Sequence, residues 1–253
     1  MPLLELKDAT IRFGGLLAVK DLTFAVEDGE LFGLIGPNGA GKTTVFNLIT
    51  GVYAPTSGVI AFDGKPIQGK HPHQIAACGI ARTFQNIRLF ASMSVLENVQ
   101  VSSHMRSTQG VLGSVFRGEH FHREETLHRE EAMRLLELFQ LEKLADEPAA
   151  SLPYGSQRRL EIARALGTKP RLLLLDEPAA GMNPQESADL MRLIRRIRDE
   201  FKVSILLVEH NMKVVMGVCE RIQVMVHGEA IALGVPSEIR TDPRVVEAYL
   251  GKE

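Results

Sequence analysis

The stretch GPNGAGKTT, Gly36 to Thr44, lies between two apolar runs, LFGLI (31–35) and VFNLI (45–49). The first run is too short for a helix and is bounded by a glycine, so it reads as a buried strand. The second follows Lys42-Thr43-Thr44 and reads as a helix. Between them the spacing Gly36-x4-Gly41-Lys42-Thr43 is that of a loop that cradles phosphate. The physical reason is local. A phosphate chain is held by backbone N–H groups, and side chains at the glycine positions would obstruct that approach. The helix that starts near Lys42 turns its positive end toward the anion. Lys42 adds a mobile ammonium for the terminal phosphates, and Thr43 offers a hydroxyl to Mg²⁺, which takes oxygen ligands.

Further along, LLLLD (172–176) and VSILLV (203–208) are short, continuous apolar runs. A helix pattern between them carries Leu190, Leu193, Ile194, Ile197 and Phe201 on one side. Strand, helix, strand with wholly apolar strands predicts a parallel sheet covered on both faces. The first of these strands ends in Asp176-Glu177, and the carboxyl ends of such strands are where ligands sit. Asp176 is placed to hold Mg²⁺ through water, and Glu177 to polarise a water for attack on a γ-phosphate. On its own the pair would read as an acidic turn before Pro178; beside the loop it reads as part of a site. The second strand ends in Glu209-His210, where a neutral imidazole would reach the γ-phosphate and the attacking water.

Around this centre, residues 3–34 read as strands (LLELKDATIRF, LTFAV and LFGLI) with a turn at Asp28-Gly29. VIAF (59–62) before Asp63-Gly64 and IQVMV before His227-Gly228 predict hairpins. Short helices are expected around SEIR and PRVVEAYL. The charged middle, about 86–165, predicts a helical subdomain inserted in the α/β core, with AMRLLELFQL on a helix that has one wet face. No internal repeat interrupts this order, and residues 1–253 read as one domain.

Composition narrows the function. With 45% hydrophobic residues, 24% charged residues and a net charge of −2, nothing calls for a nucleic-acid partner. The two cysteines, Cys78 and Cys219, form no CxxC pattern and fit a reducing compartment. No leader pattern and no apolar run of membrane-spanning length is present, so any service to a membrane is expected from the cytosolic side, through a partner. His71, His73, His104, His120, His122 and His128 match no zinc spacing and read as solvated.

Taken together, GPNGAGKTT, Gln85 in RTFQN, LPYGSQRRLEIARAL, LLLLDEP and His210 in EH resemble the ATP-binding subunit of ABC transporters over essentially the whole chain. The resemblance implies a P-loop ATPase core with a mainly parallel sheet, an N-terminal antiparallel β subdomain and the inserted helical subdomain, with ATP and Mg²⁺ as ligands. It implies that Asn38, Gly39, Gly41, Lys42, Thr43 and Thr44 bind phosphates, that Gln85 links Mg²⁺ and water to the membrane-facing subdomain, that Glu177 is the general base, and that His210 is the switch. Phe13, with Val19 nearby, lies where the family stacks an aromatic on adenine; an ordinary strand aromatic is the other reading. SLPYGSQR (151–158) resembles the segment with which one subunit caps the nucleotide of its partner through Gly155, but Pro153 and Ser156 replace the usual serine and glutamine. Asn183 replaces a usual aspartate.

A finer resemblance, in FGGLLAVKDLTF, ARTFQNIRLFASMSVLENV, DEPAAGMNP and VVEAYLG, is to the LivG-type ATPases of branched-chain amino acid importers. It implies two permeases, a second ATPase subunit in a homo- or heterodimer, an indirectly engaged periplasmic binding protein, and docking of a permease helix around Arg88–Met93. Competing readings are an ATPase of an export system such as lipopolysaccharide extraction, a soluble ABC protein of translation or DNA repair, and a P-loop kinase. The soluble proteins carry two cassettes or long insertions, and the kinase lacks the 152–165 segment.

Overall fold

The computed structural model describes residues 1–103 and 119–250. They form two compact units: Met1–Gln85 with Arg171–Glu253, and Asn86–Pro170.

In the first unit, β1 (Leu4–Phe13), β2 (Leu16–Val26), β4 (Ser57–Phe62) and β5 (Lys65–Pro66) make an antiparallel sheet in the order β2-β1-β4-β5. The second strand begins at Leu16, earlier than LTFAV alone suggests, because Gly14 in a left-handed conformation closes a tight turn after Phe13. A second sheet has the order β10-β9-β3-β8-β7-β6, built from β3 (Leu31–Ile35), β6 (Ile80–Arg82), β7 (Leu172–Asp176), β8 (Ser204–Val208), β9 (Arg221–Val226) and β10 (Glu229–Gly234). Its pairs are parallel except the hairpin β9–β10 at the edge.

Every residue of β3, β7 and β8 is buried, which is why their sequences carry no polar alternation. The two sheets share one core. Phe24 of β2 stacks on Phe32 of β3 with ring centroids 5.2 Å apart, and Phe46 of the helix Lys42–Ile49 is fully buried in the same cluster.

The helix Pro184–Phe201 buries Leu190, Ile194 and Ile197, as its 3.6-residue pattern predicts, but Phe201 is 42% exposed because it ends the helix beside left-handed Lys202. Asn183 begins this helix with a reciprocal cap. Its side chain accepts from Glu186 N–H at 2.9 Å, and the Glu186 carboxylate accepts from Asn183 N–H at 2.8 Å. Asparagine caps as well as aspartate, so this departure from the family pattern leaves the helix start intact.

The second unit is helical: Val95–Ser103, Glu119–Leu138 and Tyr154–Gly167. The long helix buries Ala132, Leu135 and Leu136 and exposes Leu127, consistent with one wet face. Arg158 is fully buried and paired with Glu161 at 2.8 Å, while its other nitrogen reaches the Tyr154 hydroxyl at 3.2 Å. Among the described residues no helix is long and apolar enough to cross a membrane, and no group of three His, Cys, Asp or Glu side chains is arranged to hold a metal ion. Of the six histidines considered above, His104 lies outside the described residues, as do the side chains of His120 and His122.

Both cysteines are free; Cys78 is exposed, and Cys219 is buried with its thiol pushed up to about 12 by burial. The thiolate is the reactive form. One thiol per native chain should therefore react with an alkylating reagent at pH 8, at Cys78, and two after denaturation in urea. Peptide mapping that finds Cys219 alkylated in the native protein contradicts this packing.

Candidate nucleotide site

The loop Gly36–Gly41 leaves the carboxyl end of β3 and enters the helix Lys42–Ile49. Gly36 has φ +155°, and a Cβ there would lie 2.1 Å from the Met225 carbonyl oxygen; at Gly41, with φ +99°, it would lie 2.7 Å from the Ala18 carbonyl oxygen. These two glycines are required by the protein's own backbone behind the loop. Gly39 differs: its φ is +80°, yet a Cβ would meet nothing within 4 Å. The loop is thus open in front, where a ligand would sit, and tight behind. The edge hairpin buttresses it: Gly228 N–H donates to the Ala40 carbonyl at 3.1 Å, and the Gly228 carbonyl accepts from Lys20 N–H at 2.9 Å.

Lys42 is 6% exposed, and its Nζ donates to the carbonyls of Gly36 at 2.7 Å and Pro37 at 3.0 Å. Burial lowers its pKa, and the nearby carboxylates of Glu177 and Asp176 act in the opposite direction. The ammonium therefore rests on main-chain oxygens and feels the field of two acids.

An open cleft of about 520 Å³ lies in front of the loop. Asn38, Gly39, Gly41, Lys42, Thr43, Thr44, Gln85 and Glu177 line it, together with Leu16, Leu17, Ala18 and His227. That volume is within the range of small-molecule sites.

Glu177 enters the cleft from the end of β7. Its N–H donates to the Val208 carbonyl of the neighbouring strand at 2.8 Å. Its φ is +47°, a left-handed conformation that non-glycine residues rarely adopt and that a following proline disfavours further. Such strain costs about 1–3 kcal/mol and is held by surrounding structure. The Glu177 carboxylate accepts from Gln85 Nε2 at 2.9 Å, and His210 Nδ1 lies 3.6 Å from the same oxygen.

Asp176, 2% exposed, sits behind the cleft. Arg82 Nη2 donates to its carboxylate at 2.8 Å. Arg82 also reaches Asn47 at 2.7 Å and lies near the rings of Phe46 and Phe84, at 5.3 and 5.1 Å. The donor set of Thr43, Gln85 and Asp176 is all oxygen, the chemistry that suits Mg²⁺.

Five residues singled out in the sequence are outside the lining of this cleft: Asp176 behind it, His210 beside the Glu177 carboxylate, and Val19, Phe13 and Gly155. Val19 is fully buried; its side chain packs behind Gly41, and Leu16, Leu17 and Ala18 face the cleft in its place. Phe13 is 41% exposed and meets Tyr53 edge-on at 5.0 Å, outside the cleft lining. Gly155 belongs to the helical unit, in the first turn of Tyr154–Gly167, where Pro153 begins the helix without a side-chain cap. Two residues to which the sequence reading gave no role also shape the site. Arg82 lies within the stretch ARTFQN, and Glu209 is the neighbour of His210.

The model of the ABC transporter family matches residues 19–180, and that of the branched-chain amino acid ATP-binding cassette transporter matches residues 231–253. The chain is 49% identical to the high-affinity branched-chain amino acid transport ATP-binding protein BraF of Pseudomonas aeruginosa, over 99% of this chain and 98% of that protein. It is 45% identical, with the same coverage, to the corresponding protein LivG of Escherichia coli. The lipopolysaccharide export system ATP-binding protein LptB of Escherichia coli is 35% identical, over 100% of this chain and 99% of LptB. A crystal structure of the ADP conformation of an ATP-binding cassette of an ABC transporter superposes with a TM-score of 0.86 at 32% identity, each chain covered in full. The loop, the acidic strand end and the match along the chain lead to one conclusion: this chain belongs to the ABC transporter family, as an ATP-binding subunit with the fold of its ATPase cassettes.

Proposed function

We propose that the chain is the ATP-hydrolysing subunit of an importer of branched-chain amino acids, acting as one ATP-binding domain at the cytoplasmic face of the inner membrane. The observation that carries the hydrolytic reading is Glu177, held in a strained conformation with its carboxylate between Gln85 and His210 in the cleft that Lys42 also lines. The cargo reading is supported by the branched-chain amino acid transporter match at the C-terminal end and by the names of the 45–49% identical relatives. The export reading draws on a relative with lower identity, 35%.

In this reading, Asn38, Gly39, Gly41, Thr43 and Thr44 present backbone and hydroxyl donors to the phosphates of ATP, and Lys42 turns from its two carbonyls to the terminal phosphates. Phe13 stacks on adenine. Thr43, Gln85 and Asp176, the last through water, would hold Mg²⁺, which would neutralise charge on the phosphates. Glu177 takes a proton from water as the water oxygen bonds to the γ-phosphorus and the bond to the bridging oxygen breaks, leaving ADP and phosphate. His210 contacts the γ-phosphate. A second ATPase subunit, identical or different, presents its own capping segment to this nucleotide, and Gly155 is presented to that subunit's nucleotide in return. ATP therefore holds the pair closed, and hydrolysis releases it. Gln85 and the helical segment, about 86–165, carry the motion to the permeases, and a periplasmic binding protein delivers the cargo to them.

Affinity purification of the full chain from its native membrane tests this. The expected result is two distinct permeases and a second ATPase, with ATP hydrolysis raised by a binding protein loaded with leucine, isoleucine or valine. Recovery of export components, or of no membrane protein, rejects the proposal.

A further inference from the structure

Glu209 is a fully buried carboxylate at the end of β8, and among the described residues no lysine or arginine pairs with it. A buried charge without a cation demands compensation. Here it comes from three backbone N–H groups. Ala179 donates to Oε1 at 2.7 Å, and His210 and Asn211 approach Oε2 at 3.2 and 3.4 Å. The donors belong to two segments about 30 residues apart in sequence. Ala179 is two residues beyond Glu177, and His210 follows Glu209 directly. Asn211 in turn accepts from Lys213 N–H at 3.1 Å and starts the helix Met212–Val218.

We propose that Glu209 is a positioning residue that ties the loop after the strained Glu177 to the turn that carries His210, so that the two side chains stay aimed at one reacting water. The inference rests on the hydrolytic reading above. The strain supplies its motive. A left-handed Glu177 before Pro178 relaxes unless its neighbours are fixed on both sides. The Val208 carbonyl holds its own N–H, and the carboxylate of Glu209 holds Ala179 on the far side. Only a carboxylate can do this, because both of its oxygens accept while an amide has one acceptor and one donor end. A glutamine at 209 keeps the shape and faces at least one backbone N–H with its own NH₂.

The test uses the full chain purified with its partners. Glu209→Gln is expected to lower kcat about tenfold or more, because small misplacement of reacting groups costs that much. The KM for ATP and the Kd for Mg·ATP, read by equilibrium dialysis, are expected to stay within about threefold. Glu209→Asp keeps the charge at a shorter reach and should show the same split with a smaller loss of kcat; it also serves if the glutamine variant does not fold. Unchanged kcat in Glu209→Gln, or parallel losses of kcat and ATP binding in the variants, overturns the positioning role. Glu177→Gln measured alongside separates the two ideas: if that variant still hydrolyses ATP at the parent rate, the reading of Glu177 fails, and the assignment of Glu209 fails with it. If Glu177→Gln is inactive and Glu209→Gln is fully active, only the present inference fails.

Discussion

Glu177→Gln will bind Mg·ATP as the parent chain does and hydrolyse it about a thousandfold more slowly. The substitution is close to isosteric, so the side-chain oxygen can still accept from Gln85 Nε2, now 2.9 Å from the Glu177 carboxylate. The backbone determinants of the turn, the bond to the Val208 carbonyl and the left-handed φ, are untouched. What disappears is the capacity to take a proton. The remaining catalysis, from positioning and from charge stabilisation by Lys42, predicts residual turnover above the uncatalysed rate. On the proposed reading, in which ATP binding holds two subunits together and hydrolysis releases them, the variant should also accumulate as an ATP-dependent dimer, visible by size-exclusion chromatography with light scattering. Hydrolysis within a few-fold of the parent rate removes Glu177 from the role of base.

Lys42→Ala will weaken Mg·ATP binding about a hundredfold, a cost of about 3 kcal/mol. Two effects combine. The ammonium no longer meets the phosphate oxygens, and the Glu177 and Asp176 carboxylates, whose fields act on Lys42, lose the nearby cation that offsets them against a polyphosphate. Lys42 also ties the carbonyls of Gly36 and Pro37 together. The variant loop should therefore exchange its amide hydrogens faster, at little cost to the buried sheet beneath it. Calorimetric titration with Mg·ATP gives the affinity; a Kd within threefold of the parent refutes the idea that the loop works through this ammonium.

The architecture was legible where chemistry is local. Five buried residues in LFGLI, five in LLLLD and five in SILLV announced a sheet covered on both faces, and the structure places all three as adjacent central strands. The loop spacing located the cleft. Departures came where a residue's role depends on what packs against it. Val19, grouped by sequence with a ligand-facing aromatic, is wholly buried because alternation along β2 turns it inward behind Gly41. Phe201 fits the apolar stripe of its helix yet lies exposed, because the helix ends there.

Gly36 and Gly41 divide the two kinds of knowledge. The sequence by itself determined that glycine stands at these positions, that a lysine and hydroxyls follow, and that an acidic strand end belongs to the same site, because spacing along one chain carries that information. Tertiary structure decided why: the carbonyls of Met225 and Ala18 press on the loop from behind, leaving only Gly39 open toward a ligand. It also decided that Arg82 closes on Asp176, 94 residues away, and that Glu209 reaches Ala179 across two strand ends. Such partners meet only when the sheet has formed, since hydrogen bonds and buried charges are satisfied by proximity in space, and no local pattern encodes which distant group will arrive.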